Sequence, residues 1–146
     1  MARRSTKARG WVLDPHSGGT KIPETVQRET EWRLLGHAKK NYKGRFSRLD
    51  IRFKGHFCYV DAYQEPQEPV YVPRGEKVEA VRERLRNTPI HLCRLRYCGP
   101  SHGSKCWTLG FYKYSDEKYE ASFFHSGDMY GTPEEGLDVG AMYLER

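Results

Sequence analysis

Residues 48–63 alternate between two kinds of side chain with a period of two, and this pattern constrains the fold more than any other feature. The pair Lys54-Gly55 in its middle is typical of a tight hairpin turn, which would set Phe53 opposite His56. Successive side chains of a strand point to opposite faces, so the segment predicts a β-hairpin with two different faces. The apolar face takes Leu49, Ile51, Phe53, His56, Cys58, Val60 and Ala62, and the other takes Arg52, Phe57, Tyr59, Asp61 and Tyr63.

A second alternating region covers residues 90–98 and 106–124. A turn around Asp116-Glu117 would fold the chain back and pair Tyr114 with Tyr119. The apolar side takes His91, Cys93, Leu95, Tyr97, Trp107, Leu109 and Phe111, and the opposite side takes Leu92, Arg94, Arg96, Cys98, Thr108, Gly110, Tyr112 and Tyr114.

Three segments have helical patterns: residues 23–42, residues 76–87, and a short one from Thr132 to about Met142. The last begins with Thr132-Pro133-Glu134-Glu135, which combines a capping box with a proline at the first helical position. The element order α-β-β-α-β-β-β-α predicts a single α+β domain over residues 22–146. We expect a mainly antiparallel sheet of about five strands in two hairpin units, with two longer helices and a short C-terminal helix packed largely on one face.

Charge is distributed unevenly along the 146 residues. The net charge is +7 over residues 1–45, +3 over residues 46–99 and −4 over residues 100–146. Residues 1–21 are expected to form a basic, flexible tail and loop, in which Arg3 and Arg4 lie close together. Lys39, Lys40 and Lys43 form a second basic cluster at the end of the first helix. A polyanion such as nucleic acid is the partner that this charge favours.

Tyrosine and arginine residues gather on the second face of the predicted sheet. Aromatic rings can stack on unpaired bases and guanidinium groups can bind phosphates, so the pattern is typical of a surface for RNA or single-stranded DNA. The predicted contacts are Arg52, Phe57, Tyr59, Tyr63, Arg94, Arg96, Tyr112, Tyr114 and Tyr119, with Lys39, Lys40, Lys43, Arg3 and Arg4 adding attraction for phosphates. A face covered by other parts of the chain and a protein-docking surface are the alternatives.

Catalysis is the second hypothesis and not the leading one, because no motif in the sequence dictates a reaction. A small metal-free ribonuclease, broadly similar to toxins that cleave messenger RNA, needs a base, an acid and cations around the phosphate. His56, His91 and His125 are the candidate catalytic residues. The chain lacks the glycine loop of nucleotide hydrolases.

Cys98, His102 and Cys106 are the candidate metal ligands, with a spacing that matches none of the familiar zinc knuckles. Our leading expectation is therefore a binding protein without metal or cofactor. No run of about 20 apolar residues and no signal peptide is evident, so we expect a cytoplasmic protein without membrane association. The oligomeric state is left open.

Overall fold

An antiparallel sheet forms the centre of the computed structural model, which describes residues 18–144. Within that range the strands β1 to β5 are neighbours in chain order, and the two-residue β6 pairs with β4. The strands are β1 (Arg48–Lys54), β2 (Phe57–Tyr63), β3 (Ile90–Tyr97), β4 (Trp107–Lys113), β5 (Lys118–Ser122) and β6 (Tyr130–Gly131). The predicted α+β class and the antiparallel pairing are confirmed, with one short strand more than expected.

Both hairpins differ from their predicted registers, yet their faces are as predicted. Phe53 pairs with Cys58 rather than His56, because Gly55 takes a positive φ of 63° and forms the turn together with His56. The second turn holds four residues, so Tyr119 pairs with Tyr112 rather than Tyr114. Each shift moves the pairing by two positions, and a strand repeats its facing every two residues. The assignment of side chains to faces therefore survives.

A β-bulge in β3 overturns one predicted assignment. Val60 pairs with Cys93, but the next residue, Asp61, pairs with His91, so Leu92 is an extra residue in β3. The prediction that His91 shares a face with Cys93 is wrong, because the extra residue reverses the alternation at this point. Leu92 is fully buried in the core, and His91 lies with Asp61 on the opposite face.

Three α-helices are present in the described part of the chain: α1 (Glu24–Asn41), α2 (Val78–Arg86) and α3 (Pro133–Gly140), the last followed by a 3-10 turn (Ala141–Leu144). The predicted capping box of α3 is confirmed, since the Glu135 backbone N–H donates to the Thr132 hydroxyl and the Glu135 carboxylate accepts from the Thr132 backbone N–H. Residues 1–17, which hold most of the predicted basic tail, lie outside the described residues. No helix in residues 18–144 is long and apolar enough to cross a membrane.

The core lies between the apolar face of the sheet and the helices α1 and α3. Leu34 and Ala38 of α1 and Leu137 of α3 are buried with Leu95 and Trp107 of the sheet. The backbone of α3 approaches the sheet closely: a Cβ atom built on Gly140 would lie 2.5 Å from the carbonyl oxygen of Leu92, and one on Gly136 would lie 2.6 Å from the Leu95 side chain. Helices α1 and α3 thus cover one face of the sheet, while Gly18 and Gly19 lie against Arg96 of the opposite face.

Candidate nucleic-acid interface

The sheet face opposite α1 and α3 carries aromatic and cationic side chains, and we call it the Tyr/Arg face. The registers place five of the nine predicted sheet contacts on paired positions of β1, β2 and β3: Arg52, Phe57, Tyr59, Arg94 and Arg96. Tyr112 and Tyr119 pair with each other across β4 and β5, and Tyr63 lies at the end of β2. Tyr114 follows β4 in the turn, where its ring contacts Tyr112. The face also includes Arg48, Asp50, Lys54, Asp61, His91, Thr108 and Gly110.

Arg94 is the buried centre of this face and is only 7% exposed. Its guanidinium carbon lies 4.0 Å from the centroid of the Phe57 ring and 4.8 Å from that of Tyr119. Burial lowers the pKa of Arg94, although a hydrogen bond with Tyr59 favours the charged form. Stacking on two rings compensates part of the cost of burying the cation. Arg94 therefore organises the aromatic rings and is not itself an exposed contact for phosphate.

Asp61 is a buried carboxylate held between two cationic or basic side chains. Its side chain is only 4% exposed, its Oδ2 accepts from Nη2 of Arg52 at 2.8 Å, and its Oδ1 lies 2.9 Å from Nδ1 of His91. Burial lowers the pKa of Arg52, but the hydrogen bond and charge of Asp61 outweigh this and raise it overall. Both carboxylate oxygens thus have partners, as a buried charge requires.

Three tyrosines surround His91. The ring centroids of Tyr112, Tyr114 and Tyr119 lie 4.4, 6.1 and 6.3 Å from that of His91. The Tyr114 hydroxyl accepts a hydrogen bond from the His91 backbone N–H at 2.8 Å. Burial raises the pKa of Tyr119 and of Tyr114, so both remain phenols at neutral pH. Together with Asp61, these rings fix the position of the imidazole.

Exposed cations border the Tyr/Arg face along β1. The Arg48 guanidinium carbon lies 3.8 Å from the centroid of the Tyr63 ring, and Lys54 is exposed at the other end of the strand. Arg45 lies in the connection that leads from α1 into β1. Lys39 and Lys40 occupy the last turn of α1, and Lys43 follows it, all three exposed. Arg3 and Arg4 lie outside the described residues.

The remaining candidate histidines lie apart from this arrangement. His56 is a turn residue whose ring packs on Phe57, and its Nε2 atom is buried without a hydrogen-bond partner among residues 18–144. His125 is exposed in the loop after β5. Of the three predicted candidates for catalysis, the fold places only His91 beside a carboxylate on the Tyr/Arg face.

The candidate metal ligands are distributed around the β3–β4 connection. The Cys98 backbone N–H donates to the carbonyl of Cys106 at 2.7 Å, while the ring of His102 stacks on Tyr130 at 4.7 Å. Burial raises the pKa of both thiols, which favours the protonated form over the thiolate that binds metal. Among residues 18–144, no three His, Cys, Asp or Glu side chains are placed so that they could hold one metal ion.

A concave surface lies between α2 and the proline-rich connection, residues 64–77, that precedes it. This cleft measures about 450 Å³ and is lined by apolar residues that include Pro69, Leu85 and Ile90. Tyr71 at its rim is 83% exposed. Its residues are unrelated to the Tyr/Arg face, so it provides control positions for tests of that face.

Sequence reasoning missed Arg48, Lys54 and the pairing of Asp61 with His91. The first two share the facing of Arg52 in the alternating pattern and could have been included on that basis. The third depends on the bulge at Leu92, for which the sequence has no marker such as glycine or proline.

Comparisons with protein-family models, with curated proteins and with solved structures found no match for this chain.

Proposed function

We propose that this protein binds single-stranded nucleic acid, and RNA in preference to DNA, on the Tyr/Arg face. The observation that carries the proposal is the collection of aromatic rings and arginines on one face of the sheet, while α1 and α3 pack on the other. A base can stack on an aromatic ring whatever its identity, so such a face accepts many sequences.

The accessible rings differ in what they can offer to a base. Tyr114 is 47% exposed, and Tyr59, Tyr63, Tyr112 and Tyr119 are partly exposed, whereas Phe57 is buried under Arg94. Each base stacked on an aromatic side chain contributes about 1–3 kcal/mol. The tyrosines, rather than Phe57, are therefore the stacking residues in this proposal.

Charge on the face favours a polyanion. Its strands carry five cationic residues and two carboxylates, and Arg52 binds both carboxylates, at 3.2 Å for Asp50 and 2.8 Å for Asp61. Arg48 and Lys54 remain as exposed cations at the two ends of β1. Lys39, Lys40 and Lys43 lie at the end of α1 that leads into β1 and add positive charge there, so phosphates would be attracted to the β1 side.

The preference for RNA is supported by the acceptors on the face. Asp50 has a side chain that is 40% exposed on β1, and the partly exposed Tyr59 and Tyr112 lie on the same face of the sheet. A ribose 2′-hydroxyl can donate to a carboxylate and to a phenol oxygen, and deoxyribose cannot. Contacts of this kind distinguish RNA from DNA at a given site.

Fluorescence anisotropy with labelled single-stranded RNA, single-stranded DNA and duplex of matched length tests the proposal. We expect the order RNA, DNA, duplex in affinity, and each phosphate contact should make the slope of log K against log salt steeper by about 0.7. The double variant Arg48→Gln/Lys54→Gln should reduce that slope, while Tyr114→Leu should weaken RNA binding about 5-fold or more.

Matched controls lie outside the face. Arg28→Gln/Arg74→Gln removes the same charge as the test pair, and Tyr71→Leu removes a ring that is more exposed than Tyr114. If the test and control variants had equal effects, the binding would reflect general charge attraction and not contacts on the Tyr/Arg face. Absence of RNA binding at low salt would refute the proposal.

A further inference from the structure

Asp61 determines which nitrogen of His91 carries a proton. An ionised carboxylate can only accept hydrogen bonds, so Nδ1 of His91, 2.9 Å from Oδ1, is the donor. In the neutral ring the other nitrogen, Nε2, then has a free electron pair. The His91 side chain is 28% exposed, so part of the imidazole ring is accessible to solvent and ligands. A carboxylate that orients an imidazole in this way is the usual support of a general base.

Tyr112 is the hydroxyl group best placed to act with His91. Its ring is the nearest of the three, with a centroid distance of 4.4 Å. The Tyr114 hydroxyl already accepts the His91 backbone N–H, and the pKa of Tyr119 is raised by burial. The Tyr112 side chain is partly exposed, and its hydroxyl has no hydrogen-bond partner within residues 18–144.

Arg52 completes the arrangement as a cation beside the pair. Two of its five N–H groups point to carboxylates, through Nε to Asp50 and Nη2 to Asp61, and the side chain is half exposed. The remaining N–H groups can donate to a phosphate oxygen. A base, an acid and a cation thus lie close together on the Tyr/Arg face, because Asp61 contacts both Arg52 and His91 and the His91 ring contacts that of Tyr112.

We propose that the protein cleaves the RNA bound on the Tyr/Arg face, with His91 as general base, Tyr112 as general acid and Asp61 as a positioning residue. This inference rests on the proposed RNA binding. The ribose 2′-hydroxyl gives its proton to Nε2 of His91, and the 2′-oxygen forms a bond to phosphorus. The bond from phosphorus to the 5′-oxygen breaks, and that oxygen leaves with the proton of the Tyr112 hydroxyl.

Protons and charges balance over the cycle. His91 transfers the proton it has gained through water to the Tyr112 phenolate, which restores both groups, and no oxidant, reductant or co-reactant is consumed. The products are one strand that ends in a 2′,3′-cyclic phosphate and one that begins with a 5′-hydroxyl. DNA lacks the attacking group, so the inference predicts that DNA is bound and left intact.

The test incubates the purified full chain with end-labelled single-stranded RNA of mixed sequence in the presence of EDTA. Product ends are identified by mass spectrometry, and binding is measured on the same preparation with RNA in which every ribose is 2′-O-methylated. We expect cleavage of RNA with cyclic phosphate ends, and none of the methylated strand.

Variants assign the roles. His91→Gln and Tyr112→Phe should each lower kcat about 100-fold or more. Asp61→Asn should lower kcat with KM changed less than about threefold, because Asp61 acts through His91. Tyr71→Phe, at an exposed position outside this group, is the matched control for Tyr112→Phe and should retain the wild-type rate. Circular dichroism checks the fold of each variant, and Tyr112→Phe carries the test if Asp61→Asn does not fold.

The outcomes separate this inference from the proposed function. Wild-type protein that binds the methylated RNA but leaves RNA intact overturns the cleavage and preserves the binding. Cleavage that persists in His91→Gln and Tyr112→Phe also overturns it, since the activity then comes from other groups or from a contaminant. Failure to bind any single strand overturns both proposals.

Discussion

Arg94 illustrates how a single residue can be misjudged from its type. An arginine on a tyrosine-rich face suggests an exposed phosphate contact, whereas the burial of Arg94 between Phe57 and Tyr119 makes it part of the packing. Its planar guanidinium covers two rings at once, and an ammonium group on a flexible stem cannot do so. The side chain holds the aromatic rings in position for the residues that remain exposed.

Arg94→Lys should therefore destabilise the protein by about 1–3 kcal/mol, even though it conserves charge. Urea unfolding followed by tryptophan fluorescence measures the change. Arg74→Lys at an exposed position is the control and should stay within about 0.5 kcal/mol of wild type. A neutral result for Arg94→Lys would mean that the stacking contributes nothing to the fold.

Helix α3 is the element that connects the core to the bulge under His91. Gly140 of α3 lies against the backbone of Leu92, the extra residue of β3, and an added methyl group would meet its carbonyl oxygen at 2.5 Å. Backbone cannot move aside as a flexible side chain can. The close approach of α3 and the position of His91 therefore depend on each other.

Gly140→Ala should destabilise the protein by about 1–3 kcal/mol through overpacking. Gly36→Ala in α1 is the matched control, because nothing lies within 4 Å of its added methyl group. The control should stabilise the helix by about 0.8–1.0 kcal/mol, the usual gain of alanine over glycine. Differential scanning calorimetry measures the stability of both variants. A Gly140→Ala variant more stable than wild type would show that α3 does not pack closely against the bulge at Leu92.

The contact of α1 with α3 includes a paired Arg33 and Glu134. The guanidinium donates to both carboxylate oxygens, at 2.8 and 2.6 Å. Burial raises the pKa of Glu134, but the hydrogen bond and charge of Arg33 outweigh it, so the pKa lies below the ordinary value of 4.5. A carboxylate whose pKa is lower in the folded state than in the unfolded state stabilises the fold at pH values above the unfolded-state pKa. This stabilisation is lost as the pH falls through the folded-state pKa.

Glu134→Gln should consequently be less stable than wild type at pH 7, and the difference should shrink as the pH falls below 4.5. Glu24→Gln, which removes the carboxylate of an exposed ion pair with Arg28 within α1, is the control. Chemical unfolding at a series of pH values gives the two profiles. A stability difference between Glu134→Gln and wild type that is constant with pH would exclude the ion pair as its source.

At the scale of the whole molecule, the two-residue period of the sequence predicts which face of the sheet each strand residue occupies. Alternation assigns Tyr59 and Arg94 to one face and Val60 and Leu95 to the other, and it does so whatever the turn. The sequence determines the strand registers less well, because Gly55, which has a positive φ here, could occupy either central position of a two-residue turn. The Asp61–His91 pair could not be predicted, because one extra residue in β3 reverses the facing of everything before it.

The central claim is that the Tyr/Arg face, and not the helical layer, binds single-stranded RNA. Titration of isotope-labelled protein with a short single-stranded RNA, followed by amide chemical shifts, tests it directly. Our account predicts that the signals of Tyr59, Arg96 and Tyr112 shift in proportion to bound RNA, while those of Leu137 and Gly140 in α3 stay in place. Shifts confined to α1 and α3, or no shifts at low salt with RNA in excess, would contradict the account.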